Sequence, residues 1–364
     1  MPHIEAIDIY NFRNHDRAHF VFKRGVNVIW GENGSGKTAV LEAVYTLSMG
    51  RSFRTHNHKE TLKENTDSLS LKGLFNAGSN TKEIRLNQLS SGQRKFFVND
   101  AVLKKTKDLI GENPIVLLSP EEQRLTKGTP GDRRNYFNKV FSTVSQEYLN
   151  MLIVYQRILK QRNSALQEVR RGRTHEKAVE VWNEQTVSVG TKLWRLKTTI
   201  IEKFIHEINK INAKYNNEGS DIVLRFVPEG DIETFEERLK KALKLDLVKG
   251  WTTVGPHRDD YRFLFNERLL KKYGSQGEHK LALVLIKMAE INIIKTNTGK
   301  NPILMLDDFF AKLDFQRADS LLSLLNGDYQ TIITTTDIVD FEKHGINLNS
   351  KNNATFHLER KCKV

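Results

Sequence analysis

The run Gly31-Glu32-Asn33-Gly34-Ser35-Gly36-Lys37-Thr38 constrains this chain more than any other stretch. It fits the pattern G-x-x-x-x-G-K-[ST], a loop whose backbone N–H groups wrap phosphates. The flanking residues supply the setting the pattern needs. Val26, Val28 and Trp30 alternate as a strand entering the loop, and Val40, Val44 and Leu47 recur at helical spacing behind it until Gly50. Strand, glycine loop and helix in that order aim the free N–H groups of a helix N-terminus at an anion. Gly31, Gly34 and Gly36 permit close backbone approach, with Glu32, Asn33 and Ser35 completing the candidate nucleotide loop. Lys37 can reach the outer phosphates and Thr38 can offer its hydroxyl to Mg²⁺.

Charge narrows the partners. The chain of 364 residues carries a formal net charge of +13 with a pI near 9.5, which favours an anionic partner, nucleic acid first and an anionic membrane surface second. The basic residues come in small groups, Lys104-Lys105, Arg170-Arg171, Lys240-Lys241 and Lys271-Lys272, with no basic tail, and each group alone reads as a solvated face. Cys362 is the only cysteine, so no intrachain disulfide can form and a reducing compartment is expected. No apolar run approaches the length of a membrane span and the start lacks a signal-like pattern, so a cytoplasmic protein is expected.

Along the chain, apolar residues flank single acidic ones in Ile4-Glu5-Ala6 and Ile7-Asp8-Ile9, slip phase at Ala6-Ile7, break over 11–16 and resume at 19–22. With the strand entering the loop they predict a hairpin and a third strand. Further alternation at 68–75 and 83–86 makes this part β-rich. Leu89-Ser90-Ser91-Gly92-Gln93 imitates the Leu-Ser-Gly-Gly-Gln signature of ABC-type ATPases, but Arg94 to Asp100 reads as strand and turn, so a hairpin is expected there. Near Pro130 the character changes. Residues 132–170 contain neither proline nor glycine, and 176–215 place Val181, Val189, Leu193, Leu196, Ile200, Phe204, Ile208 and Ile211 on one stripe, which predicts two antiparallel helical tracts. His175 and His206 lack metal-ligand spacing. A turn at 216–221, a strand at 222–227 and a short helix at 234–245 follow.

The second half supplies a partner for the loop. Ile303-Leu304-Met305-Leu306-Asp307-Asp308 is an apolar strand ending in two carboxylates, of which Asp307 is placed to hold Mg²⁺ and Asp308 to orient or deprotonate an attacking water. Upstream, Tyr273-Gly274-Ser275-Gln276-Gly277-Glu278 precedes an apolar helix whose start could present Ser275 and backbone N–H groups to a phosphate. Downstream lie Ala311-Lys312-Leu313-Asp314, a helix at 316–325 and a strand at 330–335 that ends in Thr334-Thr335-Thr336-Asp337.

Taken together these residues resemble the RecF family, relatives of SMC-type ATPase heads. The resemblance rests on Asn11-Phe12-Arg13-Asn14, the loop at 31–38, Leu41-Glu42-Ala43, Arg51-Ser52-Phe53-Arg54, Ser119-Pro120-Glu121, Gly128-Thr129-Pro130 with Arg133-Arg134, and Gln161-Arg162-Asn163. It continues in Gly255-Pro256-His257-Arg258-Asp259-Asp260, Ser275-Gln276-Gly277 and Leu306-Asp307-Asp308 with Leu313-Asp314. It implies an α/β fold, an ABC-type P-loop ATPase head with an inserted antiparallel helical lobe, divided here as 1–130, 131–220 and 221–364. It implies ATP and Mg²⁺ as cofactors, with Lys37 and Asp308 in hydrolysis, Thr38 and Asp307 at the metal, and Ser275 and Gly277 closing on the nucleotide of a second copy. It further implies an ATP-dependent homodimer on DNA at gaps or junctions, slow hydrolysis that releases the DNA, and work with RecO and RecR in placing the recombinase RecA. The chain departs from the family pattern at Glu278, where glutamine is usual, at Lys312, and at Glu122-Gln123. A DNA-binding protein with a structural nucleotide site, a transporter ATPase subunit and a P-loop phosphotransferase are the competing readings; Ser275-Gln276-Gly277, Asp308 and the interposed helical lobe weigh against the transporter subunit, and a phosphotransferase would need no signature serine loop and would show an arginine-rich lid.

Overall fold

The alternating N-terminal segment folds as two strands of one sheet, β1 (Pro2–Phe12) and β2 (His15–Val21), and the strand entering the glycine loop, β3 (Val26–Trp30), belongs to another. The phase slip at Ala6-Ile7 has a structural counterpart. The register of β1 against β4 (Ser68–Ala77) shifts between Ile4 and Ala6, a β-bulge that returns Ile7 and Ile9 to the buried face. The computed structural model describes residues 2–77, 80–215, 221–308, 328–337, 347–348 and 350–360. Lys312, Leu313, Asp314, the helix expected at 316–325, His344 and Cys362 lie outside them.

Two compact units divide the chain, 1–122 with 290–364 and 123–289. These differ from the segments drawn at 130 and 220, because the strands that follow the helical tracts pair with one another in the second unit. The first unit contains β1 to β4, α1 (Lys37–Met49), β5 (Asn80–Leu89), β6 (Arg94–Val98), β7 (Ala101–Val102) and β8 (Ile115–Leu118). The second contains α2 (Arg124–Lys127), α3 (Pro130–Val144), α4 (Gln146–Arg170), α5 (Lys177–Tyr215), β9 (Ile222–Val227), α6 (Phe235–Lys241), α7 (Leu243–Lys249), β10 (Asp260–Phe265), β11 (Arg268–Leu269) and α8 (Leu270–Tyr273). Helix α9 (Gln276–Thr298) contains the boundary, and β12 (Ile303–Leu306), β13 (Thr331–Thr335) and β14 (Ala354–His357) complete the first unit.

In the first unit β2-β1-β4-β5-β6-β7 form an antiparallel sheet and β14-β3-β13-β12-β8 a parallel one. Helix α1 packs on β1, β4 and β5 of the first sheet and on β13 of the second, and every residue of it except Thr38 is buried. A helix apolar on nearly all sides needs such a setting. Central strands read as continuous apolar runs, β8 and β12 being buried throughout, as parallel strands covered on both faces do. Gln330 ties the two sheets together: its side-chain amide accepts from Ile4 N and donates to Ile4 O at 2.9 and 2.8 Å, and donates to Lys23 O at 2.8 Å. Leu89-Ser90-Ser91-Gly92-Gln93 forms the turn between β5 and β6, with Gly92 at φ 93°, as expected of a hairpin.

In the second unit the first helical tract is interrupted at Ser145, whose Oγ accepts from Tyr148 N and caps α4. Thr129 and Asp132 form a capping box at the start of α3, with Pro130 in the first turn. Helices α4 and α5 run antiparallel: Arg162 Nε donates to Asn183 Oδ1, and a Cβ on Gly190 would come within 3.0 Å of Tyr155. Phe137 stacks on Tyr261 at 4.0 Å and meets Phe204 edge-on, which fastens α3 and α5 to the sheet β11-β10-β9. Among the described residues no helix is long and apolar enough to cross a membrane.

Candidate nucleotide site

The loop at 31–38 sits at the C-terminal end of β3 and opens α1. Two glycines are there by necessity. Gly36 has φ 102°, and a Cβ on it would lie 2.5 Å from His15 Nε2 and 2.7 Å from Asn14 Oδ1. Gly31 has φ 142°, and its Cβ would meet Leu358 O at 2.1 Å. The turn between β1 and β2 clamps the loop, with Asn14 Nδ2 donating to Gly34 O at 3.1 Å and His15 Nε2 at 3.1 Å from Gly36 O. Lys37 is buried, and its ammonium donates to Gly31 O and Glu32 O at 2.7 and 2.9 Å. Burial pushes the Lys37 ammonium below its usual range, against the pull of Asp308 and Asp307.

The carboxylate side assembles from the parallel sheet. β12 lies between β8 and β13, so its C-terminal end delivers Asp307 beside the loop. Thr38 Oγ1 donates to Asp307 Oδ1 at 2.8 Å, and Thr334 Oγ1 donates to the same oxygen at 2.7 Å. Burial raises the Asp307 carboxyl above the usual range, the Thr334 and Thr38 hydroxyls oppose that rise, and Glu121 and Asp308 add to it. A cation relieves such a carboxylate. Asp308 is exposed and holds φ 46°, with its N–H donating to Thr334 Oγ1 at 2.9 Å. Thr334 therefore holds the Asp307 carboxylate and the Asp308 backbone at once. Sequence reasoning placed it only in a threonine-rich strand end; the pattern Thr334-Thr335-Thr336-Asp337 at the tip of a strand neighbouring the loop strand was the available signal.

A second hub supports α1 from the side. Glu42 is wholly buried and receives Arg13 through Nε at 2.8 Å and Nη2 at 2.5 Å, Ser52 Oγ at 2.5 Å, and Arg54 Nη1 at 3.5 Å. One carboxylate thus joins the β1–β2 turn, α1 and the segment after it, and accounts for Arg13, Glu42, Ser52 and Arg54 together.

The residues fit a nucleotide phosphate and a magnesium ion. Ser35 Oγ is buried without a hydrogen-bond partner among the described residues, Gly36 precedes α1 with no side-chain cap, and the Lys37 and Thr38 N–H groups have no intrahelical acceptor by geometry, while Ala39 N and Val40 N donate to Gly36 O. Thr38 Oγ1 and Asp307 Oδ1 offer hard oxygens at one corner, in keeping with the one or two protein ligands Mg²⁺ takes beside phosphates.

The remaining motif residues lie in the second unit. Ser275 is exposed and Glu278 forms a capping box with it: Ser275 N donates to Glu278 Oε2 at 2.6 Å, and Glu278 N donates to Ser275 Oγ at 3.2 Å. Gly277 follows in the first turn of α9. The Gly255-to-Asp260 motif is a buried polar network. Arg133 grips Asp260 through two bonds of 2.9 and 3.0 Å, Lys197 pairs with Asp259 at 2.8 Å and donates to Pro256 O, and Arg258 reaches Thr252 O. His257 bridges Tyr155 Oη at 3.0 Å and Thr252 O at 3.1 Å. Arg162, also wholly buried, pairs with Asp246 at 2.7 Å and donates to Thr252 Oγ1.

The family model of the RecF/RecN/SMC N terminal domain matches residues 3–354. A DNA replication and repair protein RecF from Lysinibacillus sphaericus is 32% identical over 348 residues, covering 92% of this chain and 93% of the relative. This chain belongs to the RecF family. A RecF from Clostridium acetobutylicum is 33% identical over 354 residues, covering 94% of this chain and 95% of its own. Among solved structures, the recombination mediator protein RecF-ATP of the RecFOR pathway matches with a TM-score of 0.87 at 30% identity over 93% of each chain. An Smc head domain from Pyrococcus furiosus matches with a TM-score of 0.53 at 15% identity, covering 93% of this chain and 90% of that one, a likeness of fold. The fold is accordingly the ABC-type ATPase head of RecF and SMC proteins. Within that RecF frame the motif residues fall into two sets. Lys37, Thr38, Asp307 and Asp308 meet at the loop, while Arg133, Arg162, His257 and Asp259 build the second unit.

Proposed function

We propose that this RecF-family chain is an ATP-binding protein of DNA replication and repair whose nucleotide governs its hold on DNA. The observation that carries the reading is the Thr38–Asp307 hydrogen bond of 2.8 Å, which closes a phosphate loop onto a strand-end carboxylate 269 residues away. Residues 31–38 cradle the phosphates with backbone N–H groups, and Lys37 exchanges its loop carbonyls for phosphate oxygens. Thr38 and Asp307 are the residues that would hold Mg²⁺, which supplies charge neutralisation at the outer phosphate oxygens when bound. Asp308, exposed and held by Thr334, orients or deprotonates the attacking water. Ser275 and Gly277 serve the nucleotide of a second copy, so the working form is an ATP-dependent homodimer with two shared sites. The net charge of +13 suits a DNA partner, and slow, DNA-stimulated hydrolysis ends the clamp. RecR and RecO enter as partners through the RecFOR relative, and a cytoplasmic location accords with that work.

The test measures mass and DNA binding side by side with ATP, ADP and no nucleotide. ATP with magnesium should double the mass and tighten binding to gapped DNA; a Lys37→Ala protein that binds DNA as tightly as wild type in ATP would refute the switch.

One observation favours a second reading, a largely structural nucleotide site. Glu278 already occupies the Ser275 N–H that a phosphate needs, and its charge opposes an incoming anion.

A further inference from the structure

The first unit holds a second basic feature, separate from the phosphate loop. A cleft of about 600 Å³ opens beside the C-terminal end of α1, between the segment after that helix, β6 and the residues following β7. The phosphate loop lies at the other end of α1, about 20 Å away at 1.5 Å per residue. Arg51, His56, His58, Arg94, Lys95 and Lys104 line the cleft, and no acidic residue among the described ones does.

Arg94 is its centre. The guanidinium is half-buried, and among the described residues it has neither an ion-pair partner nor a full set of acceptors. Nη1 lies 3.0 and 3.2 Å from the two ring nitrogens of His58 and donates to Gly50 O at 3.4 Å, while Nε is buried without a hydrogen bond. Its Cζ stands 5.2 Å from the centre of the buried Phe96 ring, a cation–π contact. Burial draws the Arg94 pKa down to about 10, so it stays charged at neutral pH, and burial together with Arg94 and His56 lowers His58. A desolvated cation that no described carboxylate neutralises is costly unless an anion completes it. The planar, forked donor set of arginine matches the oxygens of a phosphate.

We propose that this cleft seats a backbone phosphate of a DNA strand, with Arg94 as the buried anchor. The rim decides between a strand and a small anion. Arg51, Lys95 and Lys104 are all exposed, so cationic side chains continue outward from Arg94, with the exposed His56 beside them. A free phosphate is satisfied by the two inner groups; a polyanion that passes over the cleft engages the rim as well. The site deepens the reading of the chain as a DNA-binding RecF-family protein and rests on it.

The test is fluorescence anisotropy of the full-length protein with a labelled gapped duplex, with ATP and magnesium, across a salt series. Arg94→Gln and the double variant Arg51→Ala/Lys104→Ala should each bind about tenfold more weakly at low salt, with the slope of log affinity against log salt reduced by roughly 0.9 for each phosphate no longer neutralised. ATP binding and thermal midpoint should stay at the wild-type values for the rim variant, whose residues are exposed and so keep the test valid if Arg94→Gln folds poorly. Wild-type affinity and slope in both variants would overturn the site. Loss of inorganic-phosphate binding, measured directly by calorimetry, with unchanged DNA binding in both variants would make it a free-anion site and overturn the assignment to DNA. The wild-type comparison of ATP with ADP separately decides nucleotide gating, because the variant comparison holds whether or not DNA binding responds to nucleotide.

Discussion

Acid should destabilise the second unit through one imidazole. His257 is caught between Thr252 O, which accepts from Nε2–H, and the Tyr155 hydroxyl, which remains protonated because burial pushes its pKa well above the usual value and so donates to Nδ1. That arrangement fixes the neutral tautomer. Burial lowers the His257 pKa from 6.5 to about 3; the Thr252 carbonyl opposes that shift, and Arg258, Lys197 and Arg134 add to it. The folded pKa lies below the unfolded one, so the unfolded chain takes the proton first. The stability contributed by the neutral ring is complete above about pH 6.5 and is lost as pH falls from there towards 3, at about 1.4 kcal/mol per pH unit. Between pH 7 and pH 5 the loss comes to about 2 kcal/mol. Urea denaturation followed by tryptophan fluorescence reads it, since Trp194 is fully buried in this unit. His257→Gln keeps a donor for Thr252 and an acceptor for Tyr155 but cannot titrate, so its stability should fall by about 2 kcal/mol less over the same interval. The nearby Asp259 carboxyl, raised by burial, changes in both proteins alike and cancels in the comparison. Equal acid losses in wild type and His257→Gln would refute the reasoning.

Two further outcomes test other parts of the molecule. Arg162→Ala leaves the wholly buried Asp246 carboxylate with only Thr253 as a neighbouring donor among the described residues, so unfolding in urea should show a loss of about 3–5 kcal/mol; a loss below about 1 kcal/mol would mean the site re-solvates freely. Glu278→Gln keeps a capping acceptor for Ser275 while removing the charge, so ATP turnover and the ATP-dependent dimer should both increase; unchanged turnover would show that the carboxylate does not compete with phosphate.

The phosphate loop, its helix and the carboxylate strand were legible because each is a local pattern whose chemistry depends on residue type and spacing. The hairpin at Leu89 to Gln93 was legible for the same reason. What could not be read were relations between distant side chains that share a polar partner. Thr334 meets Asp307 only because β13 lies beside β12, and the run of threonines signals a polar strand tip without naming the carboxylate it faces. Arg133, Arg162 and His257 look alike in sequence, as polar residues within motifs, yet their partners are carboxylates, carbonyls and a tyrosine brought together by α4, α7, the segment that leads into β10 and the start of β10 itself. The break at Ser145 was invisible because serine is neutral within a helix and becomes a cap only when the chain turns there. Glu278 could be read for its charge but not for its grip on the Ser275 N–H.

Gln330 behaves as a length of backbone. Its amide offers Ile4 one acceptor and one donor, the same pair of bonds that an opposing residue offers in an antiparallel ladder, next to the bulge in β1. The side chain is thus a surrogate peptide unit spliced into the join between two sheets, and it has to reproduce a peptide's polarity and reach. Glutamate lacks the donor, asparagine is one methylene short, and leucine would strand the Ile4 N–H and carbonyl in a dry interior. A residue with no part in the phosphate loop is therefore restricted nearly to a single amino acid, by the geometry of a missing strand and not by any chemistry performed on a ligand.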